Sequence, residues 1–407
     1  MSSRILVISP IPVLPATAGN RIRIWAMMNN LRAMGHDVWL MGLGLKPEET
    51  DALRRAWGEQ LFIVPHVKAR DARPRRHAVR RWLLDRMIAR GWAEAEVDHR
   101  FWPHWHGAVA EIARREKFDV VIAEYVFCSM ALLHFHNSLK VIDTHDLFTD
   151  RAARLRPSGI QCAGWSLSRE EEARGLMRAD VVIAIQKHEA KFFDELTQHS
   201  RRIVTVGHTV ALNPLPATIP AAQRMLFVGT GNGPNVAGIR HFIAHVLPVI
   251  RRRLPGATLQ VAGGICAEIP ARTPGVELLG VVDRLESAYA GANIVINPLL
   301  AGTGLKTKTV EALGYGKALV TTPCGAEGIE DAAGNAFYLA NDDAAMVEHV
   351  CRLLGDPAET DALARRAFEF AQLWNEAQLR ALATIPTGDE GRDVAPPHFA
   401  TTLSHTA

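Results

Sequence analysis

The densest chemistry in the chain lies between Asn297 and Lys317. Gly302 and Gly304 precede Lys306 and Lys308, and Glu311 follows three residues later. An apolar run ends at Pro298, a glycine-containing loop spans Ala301–Leu305, and a helix is predicted to begin near Thr307. A strand that passes through such a loop into a helix brings unpaired backbone N–H groups and the positive end of a helix dipole to one point. That point favours phosphate. The two lysines add cations, and a charge-assisted hydrogen bond from either contributes about 1.5–3 kcal/mol. Glu311 stands one turn after Lys308 on the same helix face, where a carboxylate can accept both hydroxyls of a ribose. A lone Gly-x-Gly-x-Lys is equally a tight turn followed by solvated lysines. Here the run continues through Ala318–Ile329, a strand that ends in a second glycine-rich loop.

A second set of candidates lies in the first half. The loop Pro10–Asn20 leads into Arg21 and Arg23, which either clamp a phosphate or acidic acceptor or simply solvate the first helical turn. The apolar strand Val141–Asp143 ends in Asp143 and His145, and residues at carboxyl ends of parallel strands point towards ligands. A lone histidine is more often structural, but strand-end placement beside Asp146 raises its functional odds. Asp143 and Asp146 either cap a helix or orient His145. The acids of Ser168–Arg174 read as a solvated helix face.

These residues need elements to hold them. Short apolar runs alternate with amphipathic stretches, the pattern of a parallel α/β sheet. In the first half, strands are predicted at Ile5–Ser9, Asp37–Met41, Leu61–Val64, Val120–Ala123, Val141–Asp143, Val181–Ile185 and Ile203–Val206, with a helix over Arg21–Met34. The alternation restarts at Met225–Val228. It continues through a helix at Gly238–Arg253 and strands at Leu259–Ala262, Val276–Leu279, Ile294–Pro298, Ala318–Thr321 and Phe337–Leu339. Helices are predicted near Leu285–Ala290, Thr309–Gly314, Ala344–Leu354 and Thr360–Ala383. The division that follows is an N-terminal lobe over 1–206, a proline-containing linker over 207–222 and a C-terminal lobe over 223–385. The last helix is a candidate to pack back on the first lobe, and 386–407 reads as a disordered tail. The fold class is α/β, two Rossmann-like parallel-sheet lobes facing each other across a cleft.

With 407 residues the chain is long enough for two or three domains, and 48% hydrophobic with 22% charged residues is a soluble globular composition. A formal net charge of +3 gives no footing for nucleic-acid binding. Five scattered cysteines without a C-x-x-C pair fit a reducing compartment and offer no metal framework. The first apolar run, broken by Pro10, Pro12 and Pro15, reads as a strand rather than a signal peptide, and no run approaches bilayer length. A cytoplasmic location is expected. The basic segment Lys68–Arg90, interleaved with Trp82, Leu83, Leu84, Met87 and Ile88, suits either a membrane-surface helix at the inner face or a solvated insertion.

The span Gly302–Ile329 closely resembles the nucleotide-sugar motif of family-four glycosyltransferases (glycosyl transferases group 1). That motif runs Gly-x-Gly-x-x-x-Lys-x-x-Glu-Ala, then Gly-Lys-x-x-Val-x-Thr, then Gly-x-Glu-Gly. The resemblance extends to Phe227–Gly238, with Gly229 and Asn235, and to Leu278–Asp283, where backbone groups around Val281 are expected to hold the base. It implies the GT-B architecture, a diphosphate on Lys308, a ribose on Glu311, and a second basic residue in Lys306. Donor contacts would come from Gly302, Thr303, Gly304 and Leu305. Gly19 matches the glycine that approaches the donor phosphates, and His145 matches a histidine that contacts the donor sugar. Many relatives carry a second Glu eight residues before the ribose Glu; here that position is Thr303.

The implied reaction transfers a sugar from a nucleotide diphospho-sugar to a glycan or lipid-linked acceptor with retention, without a metal or other cofactor. Three other readings compete. A catalytically silent glycosyltransferase-like subunit is suggested by Thr303. A nucleotide-sugar epimerase of the same fold would place more acids in the cleft. A nicotinamide-dependent dehydrogenase lacks its G-x-G-x-x-G at the first strand–helix turn.

Overall fold

The computed structural model describes residues 2–16, 18–67, 83–84, 86–88, 95–156, 165–216 and 223–387. Most of the basic segment and residues 388–407 of the expected tail lie outside them. The chain divides into two compact units. One comprises residues up to Thr209 together with the stretch from Gln378, and the other runs Val210–Ala377.

The first unit is built on seven parallel strands: β1 (Arg4–Ser9), β2 (Asp37–Leu45), β3 (Leu61–Pro65), β4 (Val120–Glu124), β5 (Leu139–Asp143), β6 (Val181–Ala184) and β7 (Arg202–Thr205). Their order across the sheet is β3-β2-β1-β4-β5-β6-β7. Strands buried on both faces read as continuous apolar runs, and Ile5–Ile8, Val120–Ala123 and Val181–Ala184 are all buried for that reason. One face packs Leu6, Ile8, Val121, Ile142 and Val182 with Phe101, Trp105 and Phe127. The other packs Ile5, Val7, Ile122, Val141 and Ile183 with Ile24, Met28, Leu382 and Ile385. The last two come from the terminal helix Pro357–Thr387, whose residues from Gln378 belong to this unit. Pro386 and Thr387 end that helix, so helix replaces the expected tail at those two positions.

The second unit repeats the scheme with six parallel strands: β8 (Arg224–Val228), β9 (Thr258–Ala262), β10 (Val276–Gly280), β11 (Ile294–Asn297), β12 (Ala318–Thr321) and β13 (Tyr338–Leu339). The order β10-β9-β8-β11-β12-β13 has the same reversal at its centre as the first sheet. In doubly wound sheets that reversal is where adjacent loops part and a crevice opens beyond the strand ends. The reversal falls between β1 and β4 in one unit and between β8 and β11 in the other. The stretch Asn213–Pro216, read as linker, is tied to the second unit: Asn213 N–H donates to Gly314 O at 3.1 Å and Leu215 N–H to Tyr315 O at 3.0 Å.

The predicted helix Gly238–Arg253 starts earlier, at Gly233, and is not uniform. It passes through a π turn at Phe242–Val246, with Leu247 N–H bonded to Phe242 O, before resuming at Leu247–Arg253. Pro248 is the cause: it has no N–H to donate, and its ring would strike the carbonyl four residues back in a regular helix.

Among the described residues no helix is long and apolar enough to cross a membrane.

Candidate functional site

The C-terminal unit collects its candidates at the carboxyl ends of β8 and β11. After β11 the chain turns through Gly304, whose φ of 72° suits glycine and disfavours a β-carbon, and enters the helix Thr307–Gly314. Lys306 occupies the cap position and no side chain caps the helix; Thr309 N–H closes the first turn on Lys306 O at 2.8 Å. Thr309 anchors the first turn by donating to Gly325 O at 2.7 Å and accepting from Asn297 Nδ2 at 2.8 Å. The glycine loop is thereby held between β11 and the loop after β12.

The two lysines have different partners. Lys306 is buried, and its Nζ is bonded to Gly304 O and, at 2.8 Å, to Glu327 Oε2. Lys308 is partly buried, donates to Asn235 Oδ1 at 2.5 Å and lies 4.5 Å from the centre of the Phe227 ring. Among the described residues no carboxylate lies within ion-pair distance of Lys308. Burial and the repulsion of Lys306 hold its ammonium down to about 7. Asn235 is itself fixed, with its N–H on Asn232 Oδ1 at 3.0 Å and its Nδ2 on Thr230 O at 2.9 Å. Gly229 sits against this group: a β-carbon there would lie 3.2 Å from Asn235 Nδ2 and 3.0 Å from the Phe227 ring.

Glu311 accepts from the hydroxyl of Tyr289 at 3.2 Å, and Tyr289 is stacked on Tyr315 with ring centres 4.3 Å apart. Burial pushes the Glu311 carboxyl up to about 7 against the pull of that hydroxyl and of Lys308. Tyr289 was not among the sequence candidates, because its position in the helix Leu285–Ala290 reads only as core. Val281 follows β10 and is 77% exposed, Thr303 is partly buried and Leu305 is buried. A cavity of about 240 Å³ lies beside the loop, beyond the ends of β11, β12 and β13, lined in part by Leu300, Cys324, His241 and Asp343.

The N-terminal unit brings its own candidates to the ends of β4 and β5. Arg23 was expected on the surface or at a phosphate. It is buried and bidentate to Asp143, Nε to Oδ2 at 2.9 Å and Nη2 to Oδ1 at 2.7 Å, with a further bond to Val206 O at 2.9 Å. The planar fork of arginine fits a carboxylate in this way, so Arg23 and Asp143 hold each other rather than facing a ligand. His145 meets Glu124, Nε2 to Oε2, at 2.5 Å, whereas Asp143 stands off at 3.6 Å. Asp146, also considered as its orienter, pairs with Arg151 at 2.9 Å. Glu124 was missed; it is the residue after the predicted strand Val120–Ala123, and the strand-end rule applied to His145 points to it as well. Gly19 opens the helix Gly19–Ala33, with Arg21 partly exposed in its first turn.

Glu172, read as part of a solvated face, is buried. It accepts from Phe148 N–H at 3.0 Å and from the N–H and hydroxyl of Thr149, both at 2.6 Å, and burial pushes it up to about 7. It anchors the turn at Phe148 and Thr149.

Glu124, Asp143 and His145 are a trio whose ligand atoms lie within 4.8 Å of one another. Both oxygens of Asp143 accept from Arg23, and one oxygen of Glu124 is taken by His145, so both carboxylates of the trio are already engaged within the protein.

Two Rossmann-like parallel sheets in one chain, the second carrying a glycine loop that leads into a helix, define the GT-B class. Residues 222–356 match the family described as glycosyl transferases group 1. A curated relative from Klebsiella pneumoniae, an uncharacterized 44.6 kDa protein in a cps region, is 24% identical, covering 91% of this chain and 96% of its own. Among solved structures, sucrose-phosphate synthase from Thermosynechococcus elongatus superposes with a TM-score of 0.68 at 15% identity, over 95% of this chain and 98% of that one. HepE from Anabaena, solved with UDP, gives 0.62 at 14% identity over the same shares. At these identities the structural likeness establishes the fold.

Proposed function

We propose that the protein transfers a sugar from a nucleotide diphospho-sugar to a glycan or lipid-linked acceptor, with retention at the anomeric carbon, in polysaccharide or glycoconjugate synthesis. The observation that carries this reading is Lys308. It is a partly buried ammonium with an amide and an aromatic face for partners, placed at an open helix start one turn from a carboxylate. An ammonium so placed is stabilised by an arriving anion. The match of residues 222–356 to the glycosyl transferases group 1 family, the UDP bound by HepE and the cps region of the Klebsiella relative support the reading.

In this account Lys308, Lys306 and the backbone of Gly302–Gly304 hold the diphosphate, Glu311 holds the ribose and backbone groups around Val281 face the base. Gly19 and Arg21 are assigned to the phosphate or acceptor, and His145 to the transferred sugar. The bond between the anomeric carbon and the diphosphate oxygen breaks as the acceptor oxygen attacks on the same face. The acceptor proton passes to the departing phosphate. Charge that develops on the diphosphate meets preorganised donors, which is the arrangement that lowers a barrier most. No metal is invoked, because the two lysines and the helix start supply the positive charge. Peripheral contact with an inner membrane surface belongs to the same proposal, through the acceptor.

Thermal unfolding with UDP, GDP, ADP and NAD tests the reading. Saturation at about 100 times the dissociation constant adds roughly 2.7 kcal/mol. At about 2–4 °C per kcal/mol that is a readable shift. A shift with one nucleoside diphosphate that is lost in Lys308→Ala supports the site, and NMR of the product from the matching donor then reports the anomeric configuration. Stabilisation by NAD alone, or by none of the four, contradicts it. Binding without turnover favours the catalytically silent subunit that Thr303 suggests.

A further inference from the structure

Two non-glycine residues at the carboxyl ends of β4 and β5 have left-handed backbone, Tyr125 at φ 67° and His145 at φ 63°. Holding a bulky residue there costs about 1–3 kcal/mol and persists only where the surroundings enforce it. The two turns place the Tyr125 ring flat on the His145 imidazole, with centres 4.2 Å apart and planes at 12°. Asn20 Nδ2 donates to the Tyr125 hydroxyl at 2.9 Å, and Tyr125 N–H donates to Asp143 O at 2.8 Å. The imidazole so clamped directs Nε2 at Glu124 Oε2, 2.5 Å away. Glu124 is completely buried, and its other oxygen, Oε1, has no partner among the described residues. The remaining charges nearby are occupied: Asp143 by Arg23, and Asp146 by Arg151.

We propose that Glu124 is a positioning residue for sugar transfer: by accepting from Nε2–H of His145 it fixes the imidazole tautomer and leaves Nδ1 as the atom offered to a substrate hydroxyl. This rests on the transferase reading above. A neutral imidazole has one donor and one acceptor nitrogen, and the partner of one decides the role of the other. With Nε2 protonated against Glu124, Nδ1 presents a lone pair, and no hydrogen bond to Nδ1 is found among the described residues. Stacking on Tyr125 prevents the ring from turning over to exchange its nitrogens. Burial pushes the Glu124 carboxyl up to about 7, while the bond to His145 and, more weakly, the charge of Arg23 pull it back. Orienting pairs act through geometry and proton placement; at metal-bound histidines the loss of such a partner lowers activity about 10–100-fold, and a loss of that order is expected here.

The test uses the full chain labelled with 15N-histidine, as wild type, E124Q, E124A and, for an equally buried carboxylate away from the imidazole, E172Q. The His145 resonance is identified by its loss in H145Q. Wild type and E172Q should show His145 protonated at Nε2 alone. E124A should show a mixture of tautomers. E124Q keeps the shape, but its amide can donate to Nε2, so it should move the proton towards Nδ1. Turnover should fall about 10–100-fold in E124A and E124Q, with the dissociation constant for the nucleoside diphosphate unchanged. A wild-type tautomer pattern together with wild-type turnover in both Glu124 variants overturns the proposal. So does a loss of turnover with the tautomer unmoved. Failure of every nucleoside diphosphate to bind sinks the transferase reading instead, and the tautomer comparison still decides whether Glu124 sets the proton of His145.

Discussion

In the N-terminal unit each of the two buried carboxylates at the ends of β4 and β5 has a side-chain partner, Asp143 with Arg23 at 2.7 Å and Glu124 with His145 at 2.5 Å. In the C-terminal unit, at the corresponding reversal of strand order, Lys306 has Glu327 at 2.8 Å, whereas among the described residues Lys308 has the amide of Asn235 and the face of Phe227 and no carboxylate at ion-pair distance. The same sheet topology thus supports a closed electrostatic network in one unit and an open one in the other. A closed network holds side chains in a fixed geometry, whereas an open one binds. Burial of Lys308 without a carboxylate is costly to the empty protein, and an arriving anion relieves that cost. The comparison separates positioning chemistry from binding chemistry on one structural theme.

The largest effect should come from opening the closed network. Arg23→Ala leaves Asp143 buried and uncompensated, and loss of one partner from a buried pair costs about 3–5 kcal/mol. Chemical denaturation followed in the N-terminal unit should report it, while the paired change Arg23→Met with Asp143→Leu should recover most of the loss. If Arg23→Ala unfolds at the wild-type denaturant concentration, the first unit is not the closed network described here. A smaller effect is expected on the other side. Glu311→Gln keeps a partner for Tyr289 but removes the charge proposed to accept ribose hydroxyls. It should weaken a nucleoside diphosphate by about tenfold, near 1.4 kcal/mol, and leave inorganic pyrophosphate unchanged. Equal weakening of both ligands in calorimetry would mean that Glu311 acts on the phosphates. The smallest effect is that of Gly304→Ala, where a β-carbon at φ 72° costs about 1 kcal/mol and tilts the loop. Nucleotide affinity should fall more than unfolding stability does; the reverse order would make the loop a structural turn.

Much of this architecture was legible because parallel strands buried on both faces leave an unmistakable apolar signature. Ala318–Thr321 and Leu285–Ala290 have the observed limits, and the run from Gly302 to Glu311 places its loop and helix as read. Other features required contacts between distant segments. Arg23 at the start of a helix looks solvated until β5 brings Asp143 beneath it, 120 residues away. Glu124 lies 21 residues from His145, and only the pairing of β4 with β5 sets them side by side. Glu172, within a run of three glutamates, is distinguished from its neighbours solely by the loop it reaches. The π turn before Pro248 was overlooked because the apolar periodicity carries straight across it. Local pattern determines an element; which charges are buried together is settled by strand order.

The most direct test of the account is calorimetric titration of wild type and Lys308→Met with UDP and GDP at about pH 8, in two buffers of different ionisation enthalpy. With its ammonium held at about 7 in the empty protein, Lys308 is largely neutral there and unfolds to a charged lysine. The unfolded chain therefore binds more protons than the folded one above about 7. The burial penalty is full below that value and fades as pH rises towards the ordinary lysine range near 10.4. A bound diphosphate restores the charge. The account predicts that one nucleotide binds to wild type with uptake of up to one proton. Lys308→Met should take up none, bind about 10–150-fold more weakly and be no less stable alone. Binding with the same affinity and proton count in both proteins would contradict the claim that Lys308 makes this the nucleotide site.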